Sequence, residues 1–407
     1  METVLTSGPG GRILTHDNVW SPDGEWIAFD TRSTADGSTF NGTKINIVNV
    51  TTQEVRTVYE SKNHACCGVV TWHPKEAKIA FILGPENPTP QWSYGPSRRQ
   101  GVIVNIDKPG VAVNLDARDL TPPFTAGALR GGSHVHIFHR DGQRVSFTYE
   151  DEVLGDQLRS VAVATPGEVT VGSGHPRNHA GTFFSVVAVR VTAKPTLGSD
   201  EVQRACEECW LGDGYSIAFQ GTVITQSGMP LIEMFVVDLP KDLKAAGDSP
   251  LGSTARTWPA PPKGTTQRRL TFTANRKYSG ITGPRHWLKS SPDGDRIATL
   301  MKDDDGVVQL FTVTTKDGTL KQLTKTPKGL GSAFTWSRDG AFLAAVVDGR
   351  VSRIDAVTGI VTPLSPHSIV GDEIRPEACV ISPDGKRIAF VRRRNDVNQI
   401  CLIDVLK

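Results

Sequence analysis

Histidines in this sequence recur at one position of a repeated unit. Each unit is marked by a short turn. Stepping back five residues from the first residue of each of the seven turns gives His16, Gly68, His134, Cys206, His286, Ser332 and Glu377. Because the chain has only ten histidines, three at equivalent positions indicate a shared surface. Two residues further along, on the same face of an extended strand, come His136 and Glu208.

This pattern predicts a metal site. A His-x-His pair on a regular strand projects both imidazoles to one side, a spacing suited to a divalent metal. We therefore predict that His134, His136 and His286 bind manganese, zinc or calcium, with Glu208 as a fourth ligand. The alternative is structural, because such a histidine can instead hydrogen-bond the neighbouring repeat.

Candidate catalytic and ligand-binding residues flank these positions. His64 and His179 are candidate general bases. Arg204, Arg285 and Arg375 could each hold a carboxylate through two parallel hydrogen bonds. Together these residues favour an acidic ligand.

In several repeats a tryptophan comes directly before the turn, and three other aromatic residues lie outside that position. They are Trp92, Tyr94 and Trp287, and each is a candidate for stacking on a ligand. We place Trp287 in the substrate-binding set. We also place Glu377 there, although it could equally form an ion pair with Arg375.

The repeated unit consists of an aromatic or apolar residue, a turn similar to Ser-Pro-Asp-Gly, and a β-rich run. Proline presets φ for the turn, aspartate caps it, and glycine accepts a positive φ. Further strand-like runs complete four strands per unit, which is the blade of a propeller. The sequence therefore predicts an all-β, seven-bladed β-propeller. The turns begin at Ser21, His73, His139, Leu211, Ser291, Ser337 and Ser382.

The repeats predict one propeller domain over residues 1–407. The predicted blades are about 15–61, 62–120, 130–172, 201–273, 282–325, 330–365 and 374–407 plus 3–6. The strand Thr3–Thr6 is expected to pair with Gln399–Val405 and close the ring, removing exposed edges. Residues 173–200 are interpreted as an insertion at the channel mouth, and an eighth, degenerate blade is the rival interpretation.

The composition argues against several classes of protein. The formal net charge is +2, so we expect neither a nucleic-acid partner nor attraction to an acidic membrane. No stretch reaches about 18 consecutive apolar residues, as a membrane-spanning helix requires. The six cysteines are too few for a disulfide framework in so long a chain. We expect a cytoplasmic monomer, or a periplasmic one if a signal peptide has been removed.

The Ser-Pro-Asp-Gly blades resemble the propeller domain of the translocation protein TolB and its relatives. A closer resemblance is to a bacterial propeller family carrying a domain of unknown function. The stretches that carry this closer resemblance are Gly131–His136, His175–His179, Gly283–Trp287 and Arg375–Cys379.

A third resemblance suggests a chemistry. The His134-x-His136 pair before the turn Arg140-Asp141-Gly142 is similar to a His-x-His in oligogalacturonate lyases. That family uses a manganese held by histidines and a glutamine in the channel. The resemblance implies a metal-dependent site for a sugar acid.

Two functions follow from these observations. The first is a metal-dependent enzyme acting on an oligosaccharide or sugar acid, such as a β-eliminating lyase, in which a cation neutralises the uronate carboxylate. The alternative is a non-catalytic, TolB-like propeller that binds a peptide, a protein or a small ligand. The histidines at one level of the channel favour the first.

Overall fold

The computed structural model describes residues 2–15, 17–155, 157–284 and 287–405. These residues form seven four-stranded antiparallel sheets arranged as a seven-bladed β-propeller, which confirms the predicted all-β fold. Across this part of the chain, no helix is both long and apolar enough to cross a membrane.

The ring is closed by the N-terminal strand, as predicted. Strand β1 (Glu2–Val4) is the outermost strand of the last blade and pairs antiparallel with β30 (Val397–Asp404). Thr3 lies opposite Leu402, and the Leu5 N–H donates to the Ile400 carbonyl at 2.8 Å. The closing strand begins one residue before the predicted Thr3–Thr6. It covers the edge that β30 would otherwise expose.

Each of the first three blades runs from an inner to an outer strand in chain order. Blade one contains β2 (Gly11–Ile13), β3 (Trp26–Arg32), β4 (Lys44–Asn49) and β5 (Val55–Glu60). Blade two contains β6 (Cys67–Trp72), β7 (Lys78–Leu83), β8 (Gln100–Asn105) and β9 (Ala112–Asn114). After a short parallel pair, β10 (Ala117–Arg118) and β11 (Ala128–Leu129), blade three contains β12 (Gly131–Phe138), β13 (Val145–Asp151), β14 (Arg159–Val169) and β15 (Gly181–Val187).

The remaining blades follow the same order. Blade four contains β16 (Arg204–Trp210), β17 (Ser216–Ile224), β18 (Pro230–Asp238) and β19 (Thr266–Arg269). Blade five contains β20 (Lys289–Ser290), β21 (Arg296–Lys302), β22 (Val308–Thr314) and β23 (Leu320–Gln322). Blade six contains β24 (Thr335–Trp336), β25 (Phe342–Val347), β26 (Arg350–Asp355) and β27 (Val361–Pro363), and blade seven contains β28 (Ile374–Ile381), β29 (Arg387–Arg394), β30 and β1.

The interpretation of residues 173–200 needs correction. Strand β15 lies inside this stretch and pairs with β14, with Ala162 opposite Val187. It is therefore the outer strand of blade three, which extends to residue 187 rather than 172. The irregular run that suggested an insertion, or an eighth blade, supplies the fourth strand that blade three would otherwise lack.

A second long connection joins β18 to β19 within blade four and reaches back to blade three. The Arg144 guanidinium of blade three donates to the carbonyls of Pro240 and Lys241, at 3.0 and 2.7 Å. Trp258 packs edge-on against Tyr149, with ring centroids 5.8 Å apart. The connection straps two neighbouring blades together.

The repeated turns and the tryptophans before them join neighbouring blades. In the first turn, Asp23 Oδ1 accepts bonds from the Ser21 hydroxyl at 2.5 Å and the Glu25 N–H at 2.9 Å, and Gly24 has a φ of 73°. The Trp20 indole N–H donates to the Val380 carbonyl of blade seven at 3.1 Å. Trp210 bonds blade three in the same way, at 3.0 Å.

Candidate functional site at the channel mouth

The innermost strands of blades two, three and four share a β-bulge. The bulge residues Val69, Val135 and Glu207 have φ values of 59°, 58° and 56°, and the pairing with the second strand shifts register there. A bulge adds one residue to one strand and re-aims the neighbouring side chains. It separates His134 from His136, so the two have different surroundings. This corrects the prediction, from regular strand alternation, that both imidazoles share one side.

His136 is buried completely between blades two and three. Its Nε2 lies 3.9 Å from Asp116 Oδ1, and its ring centroid is 5.3 Å from that of Phe147. The backbone of Gly101 passes so close that a Cβ there would meet Nε2 at 2.3 Å. Burial, followed by the charge of Arg99, lowers the pKa of His136 to about 3. The ring is therefore neutral and held within the blade interface.

His134 stays partly accessible and is surrounded by positive charge. Burial lowers its pKa well below the ordinary value, and the guanidiniums of Arg99, Arg159 and Arg32 lower it further. These arginines come from blades two, three and one. The result is a neutral imidazole among three permanent cations.

Gly132, two residues before His134, lets a loop approach its strand. Residues 84–99 join β7 to β8 and end in a single 3-10 turn, Pro96–Arg98. A Cβ on Gly132 would lie 2.3 Å from the Pro96 carbonyl oxygen, so only glycine admits this contact. The close packing brings Arg99, the residue after the turn, towards His134.

Buried partners hold the arginines in place. Arg32 Nε donates to Asp30 Oδ2 at 2.9 Å, and Asp30 Oδ1 accepts from the N–H of the bulge residue Val69 at 3.0 Å. Arg159 forms an ion pair with Glu150. Asp30 therefore positions both a guanidinium and the bulge.

Arg99 differs from these two arginines. Only 6% of its surface is exposed, and across the described part of the chain it makes no ion pair with a carboxylate. Burial lowers its pKa. Its carbonyl accepts a bond from Arg118, which is itself buried and bonds the Gly131 carbonyl at 3.1 Å. Arg99 is thus a desolvated cation. A desolvated guanidinium binds an incoming carboxylate strongly.

Glu208 lies deep between blades three and four rather than in the open channel. It is 2% exposed, and its Oε2 accepts from the Thr148 hydroxyl at 3.3 Å. Burial raises its pKa to about 8. A carboxyl group that is protonated near neutral pH is a poor ligand for a divalent cation.

The predicted metal set does not assemble among the described residues. In that part of the chain, no group of three or more His, Cys, Asp and Glu side chains is close enough to hold a metal ion. His136 faces Asp116, and Glu208 faces Thr148. His286 and Arg285, together with His16 from the same column, lie outside the described residues. We therefore derive no chemical step through a metal.

The other predicted residues are spread around the mouth. His64 is exposed on the loop before β6. His179 exchanges backbone hydrogen bonds with Arg118, and burial lowers its pKa to about 3. Arg204 is exposed, beside the thiol of Cys206.

Glu377 and Arg375 lie on the same strand, β28, so their contact is within blade seven and not between blades. Arg375 Nε lies 3.8 Å from Glu377 Oε2. Glu377 is 8% exposed. Arg375 also lies near Asp36 of blade one. These residues complete the side of the mouth at which the ring closes.

An ion pair crosses the channel below this level. Lys289 of blade five and Asp17 of blade one meet across it, with Nζ and Oδ2 2.5 Å apart. The Lys289 ammonium also lies 5.7 Å from the centre of the Trp287 ring, which packs against the apolar cluster around Val135. Trp287 therefore belongs to the floor of the mouth.

Tyr94 is the most accessible of the predicted stacking residues. It is 37% exposed, whereas Trp92 is 9% exposed and enclosed by the guanidiniums of Arg98, Arg118 and Arg177. The Tyr94 ring stacks on Phe40 with centroids 5.0 Å apart.

Sequence reasoning missed the three arginines around His134. Arg32, Arg99 and Arg159 lie at the end of the second strand, or at the start of the third, in their blades. An alignment anchored on the turn between the first two strands does not reach these positions. A second alignment, on the ends of the second strands, could have found Arg32, whereas Arg99 and Arg159 lie beyond the loops that follow those strands.

The comparisons with known proteins identify a family. The chain is 44% identical to the uncharacterized protein YidR of Escherichia coli (strain K12) over 397 residues, which cover 95% of this chain and 94% of YidR. This chain belongs to the YidR family. The family model described as "Protein of unknown function (DUF3748)" matches residues 66–179, which include the loop of Tyr94 and the strand of His134.

Two solved structures are similar to this chain at low sequence identity, and the first of them shares its fold. An oligogalacturonate lyase in complex with manganese aligns over 99% of this chain and 92% of its own, with a TM-score of 0.58 and 12% identity. TolB from Acinetobacter baumannii covers 95% of this chain and 81% of its own, with a TM-score of 0.41 and 14% identity.

Proposed function

We propose that the channel mouth binds the uronic acid unit of a short oligosaccharide and cleaves the chain by β-elimination. The observation that carries this proposal is the neutral His134 imidazole surrounded by Arg32, Arg99 and Arg159. The shared fold with a lyase that acts on oligogalacturonate supports it.

The first requirement of this reaction is neutralisation of the uronate carboxylate. Removing the proton from the neighbouring carbon places negative charge on that carboxylate, and preorganised cations stabilise it. Arg99 is the cation best placed, since it is buried and makes no ion pair with a carboxylate in the described chain. Arg32 and Arg159 are already paired with Asp30 and Glu150, and they contribute through the surrounding field.

The second requirement is a base. His134 is neutral at working pH and needs no prior loss of a proton to accept one. Its pKa is lowered partly by the arginines. A bound carboxylate offsets their charge and raises that pKa, so the imidazole becomes a stronger base when the substrate is present.

The metal prediction stays separate from this mechanism. Manganese is bound in the oligogalacturonate lyase complex. In this chain, the described donor residues do not converge, and arginines occupy the place where a cation is needed. Arginine therefore carries the charge neutralisation that we assign.

The test is turnover of digalacturonate and trigalacturonate, followed by the ultraviolet absorbance of the conjugated double bond that elimination creates. Arg99→Met should abolish both turnover and calorimetric binding. Arg338→Met is the matched control, since Arg338 is exposed on a turn at the opposite end of the blades. Binding without turnover in the wild type would instead favour the non-catalytic function. No binding of any uronate would overturn the proposal.

A further inference from the structure

We propose that Tyr94 is the catalytic acid of this site, whose hydroxyl protonates the leaving glycosidic oxygen while its ring faces the sugar. This inference rests on the proposed function. The observation behind it is a partly exposed tyrosine whose ring stacks on Phe40, on a loop held at both sides and close to Arg99.

The ring of Tyr94 is fixed by its neighbours. One face stacks on Phe40, with an angle of 23° between the two rings. A Cβ on Gly84 would lie 3.1 Å from Tyr94 Cδ2, so the ring edge lies against the chain at that glycine. With 37% of the residue exposed, part of the ring remains open to a ligand. An exposed aromatic surface of this kind suits the apolar face of a sugar ring.

The loop that carries Tyr94 is held on both sides. Before it, Trp92 is enclosed by guanidiniums, with Arg98 5.1 Å from the ring centre. After it, the 3-10 turn Pro96–Arg98 lies on Gly132. Preorganisation of this kind is what a proton donor requires, because proton transfer needs hydrogen-bond distance.

The hydroxyl of Tyr94 shares its electrostatic surroundings with His134. Burial raises the pKa of Tyr94, and the Arg99 and Arg32 guanidiniums, which also lie near the imidazole, oppose that rise. The phenol and the imidazole therefore border the same charged space. An acid and a base on either side of one bound uronate are what elimination requires.

The proposed elimination accounts for every proton and electron pair. The carbon–hydrogen bond beside the carboxylate breaks, and His134 takes the proton. The electron pair forms the new carbon–carbon double bond, and the bond to the glycosidic oxygen breaks. That oxygen takes the proton of the Tyr94 hydroxyl. The Arg99 guanidinium offsets part of the cost of forming a phenolate at a buried position, and solvent returns a proton to Tyr94 and removes one from His134.

The experiment compares Tyr94→Phe with Tyr94→Ala on digalacturonate, with Tyr278→Phe, in the connection between blades four and five, as the matched control. Tyr94→Phe should lower kcat about 100-fold or more, the usual contribution of a general acid, and leave KM within about threefold. Tyr94→Ala should in addition raise KM, because the ring is lost. The control should match the wild type.

A second substrate separates a chemical role from a structural one. A galacturonate with an aryloxy leaving group at the eliminated position needs no proton donor, so Tyr94→Phe should turn it over at nearly the wild-type rate. Equal losses on both substrates, or an unchanged kcat on digalacturonate, would overturn the inference and leave the proposed function standing. A wild-type protein that eliminates neither substrate would overturn both.

Discussion

Lys289 and Asp17 form an ion pair across the propeller channel, with Nζ and Oδ2 2.5 Å apart. The two residues belong to blades five and one, which are not neighbours in the ring. Their side chains are 9% and 20% exposed. The pair therefore ties opposite sides of the ring together below the mouth.

The first prediction concerns this pair. Lys289→Met should lower the free energy of unfolding by about 3 kcal/mol, because it leaves the Asp17 carboxylate in the channel without its partner. The double change with Asp17→Asn should recover most of the loss. Denaturant titration measures each variant. Lys328→Met, which breaks an exposed pair with Asp348, should change stability by less than about 1 kcal/mol. A Lys289→Met protein as stable as the wild type would contradict the assignment.

The second prediction separates the two histidines of the His-x-His pair. His136→Ala should lower the melting temperature strongly, since it removes a completely buried ring from the interface with blade two. His134→Ala should leave the melt nearly unchanged and abolish elimination. Thermal melts and turnover assays of both variants are the measurement. The reverse pattern, with His134 structural and His136 needed only for activity, would disprove the site described above.

The third prediction concerns pH and Glu208. Burial raises its folded-state pKa to about 8 from an ordinary value of 4.5. The folded protein thus keeps a proton that the unfolded chain releases, and this contribution to stability is lost as pH rises from about 4.5 to 8. Glu208→Gln cannot lose a proton there. Its stability relative to the wild type should therefore increase over that range, by a few kcal/mol.

Denaturant titrations at a series of pH values measure this difference. Glu54→Gln, at an exposed position immediately before the outer strand of blade one, should show no such trend. If the difference between wild type and Glu208→Gln stays flat from about pH 5 to 8, then Glu208 is ionised in the folded protein and remains available as a ligand.

The fourth prediction concerns metal removal. Because arginines supply the positive charge in the proposed mechanism, dialysis against a chelator should leave the elimination rate within about twofold. Elemental analysis before and after dialysis is the control. Loss of activity that manganese restores would show that a metal carries this charge. It would also return His134, His136, His286 and Glu208 to the role predicted from the sequence.

The fifth prediction concerns ring closure. Deleting residues 1–8 removes β1 and exposes the edge of β30, so the protein should aggregate or melt at a much lower temperature. A synthetic peptide of residues 1–8 should restore stability by pairing with β30 again. Light scattering and thermal melts test both outcomes. A truncated protein that stays monodisperse with an unchanged melt would show that β1 is dispensable.

The fold could be predicted because each blade repeats one local signal. The turn at Ser21 and its equivalents depends on residue types that act within five positions, and the same turn at Ser382 identifies the last blade. The partner of the closing strand could be predicted because the last repeat contains only three strands of its own and lacks a fourth. The outer strand of blade three was missed because Pro166 and Gly167, near a register shift, separate it from the regular pattern.

The site was predicted less well than the fold. His134 lies at the mouth as expected, since its position follows from the repeat. The expected relation to His136 failed because one bulge residue, Val135, breaks the alternation of side chains. Arg99 could not be predicted because its position depends on a loop folding onto Gly132, a contact between two blades.

The antiparallel pairing of Thr3 with Leu402 has a consequence for synthesis in the cell. Thr3 cannot pair until Leu402, about 400 residues later in the chain, has been made. At roughly 5–20 residues per second, that interval lasts about 20–80 s. Throughout that interval the first blade has no neighbour on one side. The nascent chain is therefore an open arc with two unprotected ends until the last blade is complete.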